Sequence, residues 1–207
     1  MDHLEEAHYF TSPIYMVKKE EYLEPVREVS NRYLADSKIH TAQNGQIVTM
    51  TTNYSHEPAL REFGQYVSQT AFNILASQGY GMETLVTVMT EMWTQEHSKY
   101  SSMDIHTHGM GAQISCFYFI DTPADGNKLV IHDPRSAKTI INLPEKDDNI
   151  VTPASKYAVF NAEAGIMVFI NAWLPHSFTR NMSDEPFRFV HMNLSVALAP
   201  RPEVEIL

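Results

Sequence analysis

Cys116 is the only cysteine in the chain, so no internal disulfide can form. Its place in an apolar run reads as a buried, inert thiol in a protein of a reducing compartment. Basic residues are also scarce: 15 Lys and Arg stand against 25 Asp and Glu, for a formal net charge of -10. A surface that tracks phosphates needs the opposite balance, which argues against non-specific nucleic-acid binding, and no nucleic-acid partner is expected. No apolar run approaches the roughly 20 residues of a membrane span. The start, Met1-Asp2-His3-Leu4-Glu5-Glu6, lacks the basic opening and greasy core of a signal peptide. A cytoplasmic protein with no membrane partner is therefore expected. There is no internal repeat and no low-complexity segment. The 207 residues, 43% of them hydrophobic, suit a single domain with a sizeable core.

What is present divides into two regions. Residues 1–80 read as a support region. Phe10 to Val17 looks like a short strand, and Glu20 to Leu34 carries Tyr22, Leu23, Val26, Val29, Tyr33 and Leu34 at helical spacing. A polar stretch from Asp36 to His56 follows. Pro58 then opens a second helix whose stripe of Leu60, Phe63, Val67, Ala71, Ile74 and Leu75 ends near Gly79 and serves core packing. Residues 81–200 read as the core of the fold. Leu85 to Trp93, Ile114 to Ile120, Lys128 to His132, Ala158 to Phe160, Ile166 to Ile170 and Phe187 to Ala197 are β-branched and aromatic runs separated by turn residues. The expected fold is mainly β with flanking α-helices, an antiparallel barrel or double-sheet roll.

The candidate chemistry lies in His106-Thr107-His108, in Pro175-His176 and in Arg188. Residues i and i+2 of a strand project from one face, so His106 and His108 offer two imidazoles to one point, and His176, placed at a strand beginning, completes a metal site. Neutral imidazoles suit zinc, copper, iron and nickel, and three protein ligands leave positions open for water or substrate. His3, His8, His40, His56, His97 and His132 read as ordinary histidines without a ligand role. Arg188 shares its strand face with Val190, Met192, Leu194 and Val196. A guanidinium there needs an anion, either a bound carboxylate or a carboxylate of the protein.

These residues resemble the Fe(II)- and 2-oxoglutarate-dependent oxygenases, in the prolyl-hydroxylase-like branch and its poorly characterised bacterial and phage group. The order His106-Thr107-His108, His176, Arg188 is similar to that family's pattern. So are the runs Ile114 to Ile120, Leu129 to Arg135 and Trp173 to His176, and the likeness spans about residues 85–198. The resemblance implies a double-stranded β-helix, a jelly-roll or cupin-like barrel with the N-terminal helices packed outside. It implies Fe(II) held by His106, His108 and His176, with 2-oxoglutarate as co-substrate on the metal and Arg188 on its far carboxylate. Oxygen takes the remaining position, and an unactivated C–H bond is hydroxylated as 2-oxoglutarate is decarboxylated. Two departures stand out. His108 occupies the place of the usual carboxylate ligand, with Asp104 on the same strand face as an alternative, and Phe119 replaces a tyrosine that assists the arginine. Gln95 is a further candidate to hold the oxoacid.

Two other readings stay open at this point. One is a cupin-type three-histidine metal enzyme with Gln113 near the pair; the other is a non-catalytic metal- or ligand-binding β-roll. The primary substrate is unknown, with a peptide, a protein side chain or an amino-acid-like molecule expected. The Asp36 to His56 and Pro134 to Pro153 segments are candidate lids, with plain surface loops as the blander reading. Exposed edge strands allow a homodimer.

Overall fold

The computed structural model describes residues 5–44 and 48–200, with residues 38–44 and 139 described by their backbone alone. His3 and the side chain of His40 lie outside the described residues. Among the described residues ten strands, β1 (Tyr15–Lys18), β2 (Val48–Met50), β3 (Leu85–His97), β4 (Met103–His106), β5 (Ala112–Asp121), β6 (Lys128–His132), β7 (Tyr157–Asn161), β8 (Ile166–Asn171), β9 (His176–Phe178) and β10 (Phe187–Leu198), form two sheets. The larger runs β1-β8-β5-β10-β3-β2 and the smaller β4-β9-β6-β7. Every pairing is antiparallel. From β3 onward the chain shuttles between the sheets, with β3, β5, β8 and β10 in one and β4, β6, β7 and β9 in the other. That alternation is the winding of a double-stranded β-helix.

Two helices cover the outer face of the larger sheet. Helix α1 (Leu23–Asn44) turns Val26, Val29, Ser30 and Leu34 inward, and α2 (Arg61–Ser77) turns Phe63, Val67, Ala71, Ile74 and Leu75 inward. Both sets follow the spacing of one helical face, so the stripe on α2 is core packing as expected. Helix α2 ends at Gly79, whose φ of +94° closes the turn at no steric cost. Polar anchors fix α1 to the sheet: the Tyr54 and Thr94 hydroxyls lie 2.6 Å apart, and Thr94 reaches Ser30 at 2.8 Å. Cys116 is fully buried in this helix-side core, where desolvation raises its thiol pKa, in line with an inert thiol.

A second core fills the space between the sheets. Phe117, Phe119, Val168, Ile170, Phe187 and Phe189 from the larger sheet meet Leu129, Ile131 and Phe178 from the smaller. Phe178 stacks on Phe189 with ring centroids 4.5 Å apart. Each fully buried phenyl group contributes roughly 1.5–3 kcal/mol.

Several boundaries differ from the sequence reading. Helix α1 runs to Asn44, ten residues past the expected end at Leu34, and takes up half of the polar stretch assigned as a candidate lid. That half is helix because it continues a turn already nucleated, where each added residue needs only propagation. Strands β1 and β2 belong to the larger sheet, so the first 80 residues supply two of its six strands as well as support. The Pro134 to Pro153 segment is a short 3-10 turn, Ser136–Ile140, followed by exposed loop. Among the described residues no helix is long and apolar enough to cross a membrane.

Candidate metal centre

The centre forms where β4 and β9 meet. His106 ends β4 and His176 begins β9, and the two are directly paired across the smaller sheet. His108 lies two residues beyond the end of β4. Its backbone N–H donates to Ala172 O at 2.9 Å, which extends the pairing past the strand and returns the side chain to the group. One nitrogen from each of His106, His108 and His176 lies within 4.8 Å of the others. The Nε2 atoms of His108 and His176 are 3.3 Å apart. Nitrogens about 2.1 Å from one ion and at right angles to each other are about 3 Å apart, so this spacing suits a shared ion.

Hydrogen bonds fix which nitrogen each ring presents. His106 Nδ1–H donates to Asp104 O at 2.8 Å, and His176 Nδ1–H donates to Leu174 O at 3.0 Å. Both rings therefore turn a bare Nε2 toward the centre. Burial, with the neighbouring rings, depresses the imidazole pKa of His108 to about 4, and burial lowers that of His176 to about 3. Both are neutral near pH 7, so neither carries an imidazolium charge that would repel a cation.

Around the triad lie groups that the sequence reading did not single out. His191, fully buried on β10, has its ring centroid 4.5 Å from that of His108 and stacks on Trp93 at 4.3 Å. Asn193 touches His108 Nδ1 at 3.3 Å and donates to Glu91 Oε2 at 2.7 Å. It also accepts from Ser115 Oγ at 2.9 Å and from His191 Nε2 at 3.1 Å. Trp93 Nε1 is buried with no hydrogen-bond partner. The signal available in the sequence was the alternation Phe187, Phe189, His191, Asn193, which places two polar side chains on the face that carries the inter-sheet phenyl groups.

Arg188 is a correction. It stands on the opposite face of β10, among the helix-side residues Val190, Met192 and Leu194, away from the triad. Its Nε donates to Glu96 at 2.6 Å and its Nη1 to Asp121 at 3.1 Å. Arg27 of α1 shares Asp121 at 3.2 Å and reaches Ile120 O at 2.9 Å. The anion this guanidinium requires is thus supplied by the protein. Asp104 contributes its carbonyl, and the group of potential ligands does not include its carboxylate. Gln113 turns its amide to Gly111 O. Gln95 is buried on the inner face beside His97, 3.2 Å from its Nε2. Phe119 is packed against Phe187 and Phe189. His97 is a core residue, and His132 pairs with Ser177 Oγ at 2.8 Å, outside the triad.

Comparison with known proteins follows the same lines. Residues 91–191, from within β3 to within β10, match the family described as "Putative 2OG-Fe(II) oxygenase". No curated protein matches the sequence. The fold is similar to that of the carbocyclase SnoK from nogalamycin biosynthesis, at a TM-score of 0.60 and 12% identity over 88% of this chain and 79% of that one. It is similar to a prolyl-4-hydroxylase of Pseudomonas putida, at 0.56 and 11% over 89% and 93%. The collagen prolyl hydroxylase of Paramecium Bursaria Chlorella virus-1, solved with 2-oxoglutarate, gives 0.54 and 8% over 87% and 94%. Identities this low speak for the fold alone; the family match spans all three histidines. Over residues 91–191 the chain is similar to the Fe(II)- and 2-oxoglutarate-dependent oxygenases, and its fold is the one those neighbours share.

Proposed function

We propose that this protein is a hydroxylase that binds Fe(II) through His106, His108 and His176 and couples decarboxylation of 2-oxoglutarate to oxidation of a C–H bond. The observation that carries this reading is the convergence of three imidazoles, two of them held by carbonyls with Nε2 turned to the centre. Three ligands leave up to three positions of an octahedral ion for the oxoacid and oxygen. Bound iron with 2-oxoglutarate and oxygen supplies the oxidant; the chain's own part is to hold, orient and exclude water. The inter-sheet phenyl groups keep the inner side of the centre dry.

With Arg188 engaged elsewhere, the far carboxylate of the oxoacid needs another donor. The unpartnered indole N–H of Trp93, on the inner face beside His191, is the group we assign to it, with Gln95 one inward position further along β3. A prolyl or other peptide side chain is the substrate class we favour, in keeping with the prolyl hydroxylases among the structural neighbours. A second reading, a three-histidine centre that takes its organic ligand without a guanidinium, draws support from the position of Arg188. We place the protein in the cytoplasm, in keeping with its one cysteine.

Anaerobic addition of Fe(II) and then 2-oxoglutarate tests the proposal. A visible charge-transfer band on addition of the oxoacid, followed by stoichiometric succinate when air is admitted, is the expected result. An iron-loaded protein that gives neither band nor succinate overturns it in favour of the second reading.

A further inference from the structure

The proton positions around His108 form a closed pattern. His176 gives its Nδ1 proton to Leu174 O, so its Nε2 can only accept, and the 3.3 Å contact with His108 requires His108 to carry its proton on Nε2. His108 Nδ1 is then bare and accepts from the Asn193 amide, whose other N–H goes to Glu91. The Asn193 carbonyl oxygen is fixed in turn by donors from Ser115 and His191, so one amide orientation satisfies all four partners. A cation bound at Nε2 of His108 reverses this arrangement. The ring proton must sit on Nδ1, where it meets an N–H2 group, and two donors cannot bond each other.

An acceptor of suitable charge is at hand in the Glu91 carboxylate, within 2.7 Å of that same amide nitrogen. Glu91 lies on β3 directly across from Asn193, at an exposed position free to move its side chain by the distance of one hydrogen bond. Metal-bound imidazoles with a carboxylate on the opposite nitrogen are held in orientation and made more basic by it. We infer that Glu91 is the positioning residue of the metal centre: its carboxylate takes the Nδ1 proton of metal-bound His108 in a direct hydrogen bond, in place of the Asn193 amide nitrogen. A carboxylate outside the coordination sphere thereby returns the negative charge that an all-histidine ligand set lacks. The inference rests on the metal centre proposed above and assigns no ligand beyond the three histidines.

Cobalt(II) titration of the full chain, followed by its visible absorption, tests the inference in Glu91→Gln, Glu91→Asp and His176→Ala. Glu91→Gln should bind 10- to 100-fold more weakly than the parent, and Glu91→Asp should recover most of the loss. The three-imidazole hyperfine pattern of a copper(II) adduct should persist in Glu91→Gln, and the metal-free Tm should match the parent, because position 91 is exposed. Equal cobalt affinity of Glu91→Gln and the parent, with His176→Ala still abolishing binding, overturns the role of Glu91 and leaves the centre standing. A parent chain that binds no cobalt overturns the centre, and the role of Glu91 with it.

Discussion

The two faces of β10 use the same strand for opposite purposes. Inward, Phe187, Phe189, His191 and Asn193 run from the phenyl-filled core to the metal centre, and every titratable group on that face is an imidazole held neutral by burial. Outward, Arg188, Val190, Met192 and Leu194 meet the helices, and charge there is neutralised by pairing among Arg188, Arg27, Glu96 and Asp121. One face stays uncharged by desolvation, the other by ion pairs. The two should therefore fail under different treatments.

Acid is the sharpest way to separate them. Burial depresses His97 to about 4, His108 to about 4 and His176 to about 3. A histidine depressed in the folded state binds its proton more readily when unfolded. The stability this gives is complete above the unfolded imidazole value near 6.5 and is lost as pH falls from there through about 4. His97 alone contributes on the order of 3 kcal/mol. Urea midpoints of metal-free protein should drop steeply across that window, and saturating cobalt should delay the fall. A flat profile would mean that the inner face is wetter than described.

The outer face should break on losing its guanidinium. Arg188→Leu removes the guanidinium from buried Glu96 and leaves Asp121 to Arg27 alone, and should cost roughly 3 kcal/mol in urea unfolding. Its cobalt affinity and its 2-oxoglutarate affinity should stay within about twofold of the parent, since no contact joins Arg188 to the triad. A selective loss of oxoglutarate binding in a stable Arg188→Leu protein would put the guanidinium back in the site. The smallest effect is expected from Trp93→Phe, which keeps the ring against His191 and deletes one donor. A loss of about fivefold to tenfold in 2-oxoglutarate affinity with unchanged cobalt binding is expected, the worth of one hydrogen bond. Unchanged oxoglutarate binding would exclude the indole.

β10 also shows what the sequence could and could not disclose. Six strands were readable from β-branched and aromatic runs bounded by turn residues, with Lys128–His132 found to the residue. So were the stripe of α2 and its end at Gly79. The three histidines were readable because β4 and β9 each deliver one at a strand end, although His108 lies past the strand and reaches the group through its bond to Ala172. The inward face of β10 was not readable. Both faces are buried, so apolar residues fill both parities and alternation alone cannot name the inside. His191 and Asn193 broke that tie, but their meaning depends on Trp93, Ser115 and Glu91, which come from other strands. Helix α1 outran its expected end because Ala35 to Asn44 has no apolar stripe to mark it.

The short segment from Asn171 to Pro175 links the metal centre to the helical layer. Its Ala172 carbonyl holds the backbone of His108, its Leu174 carbonyl holds the ring of His176, and its Pro175 carbonyl holds His132 N. Asn171 exchanges two 3.0 Å amide hydrogen bonds with Gln78 at the end of α2. Five residues thus act as a jig that sets the spacing of two ligands at once. A disturbance arriving through α2 would open or tighten the grip on the ion as a unit, making ion affinity a gauge of how firmly the helical layer is docked.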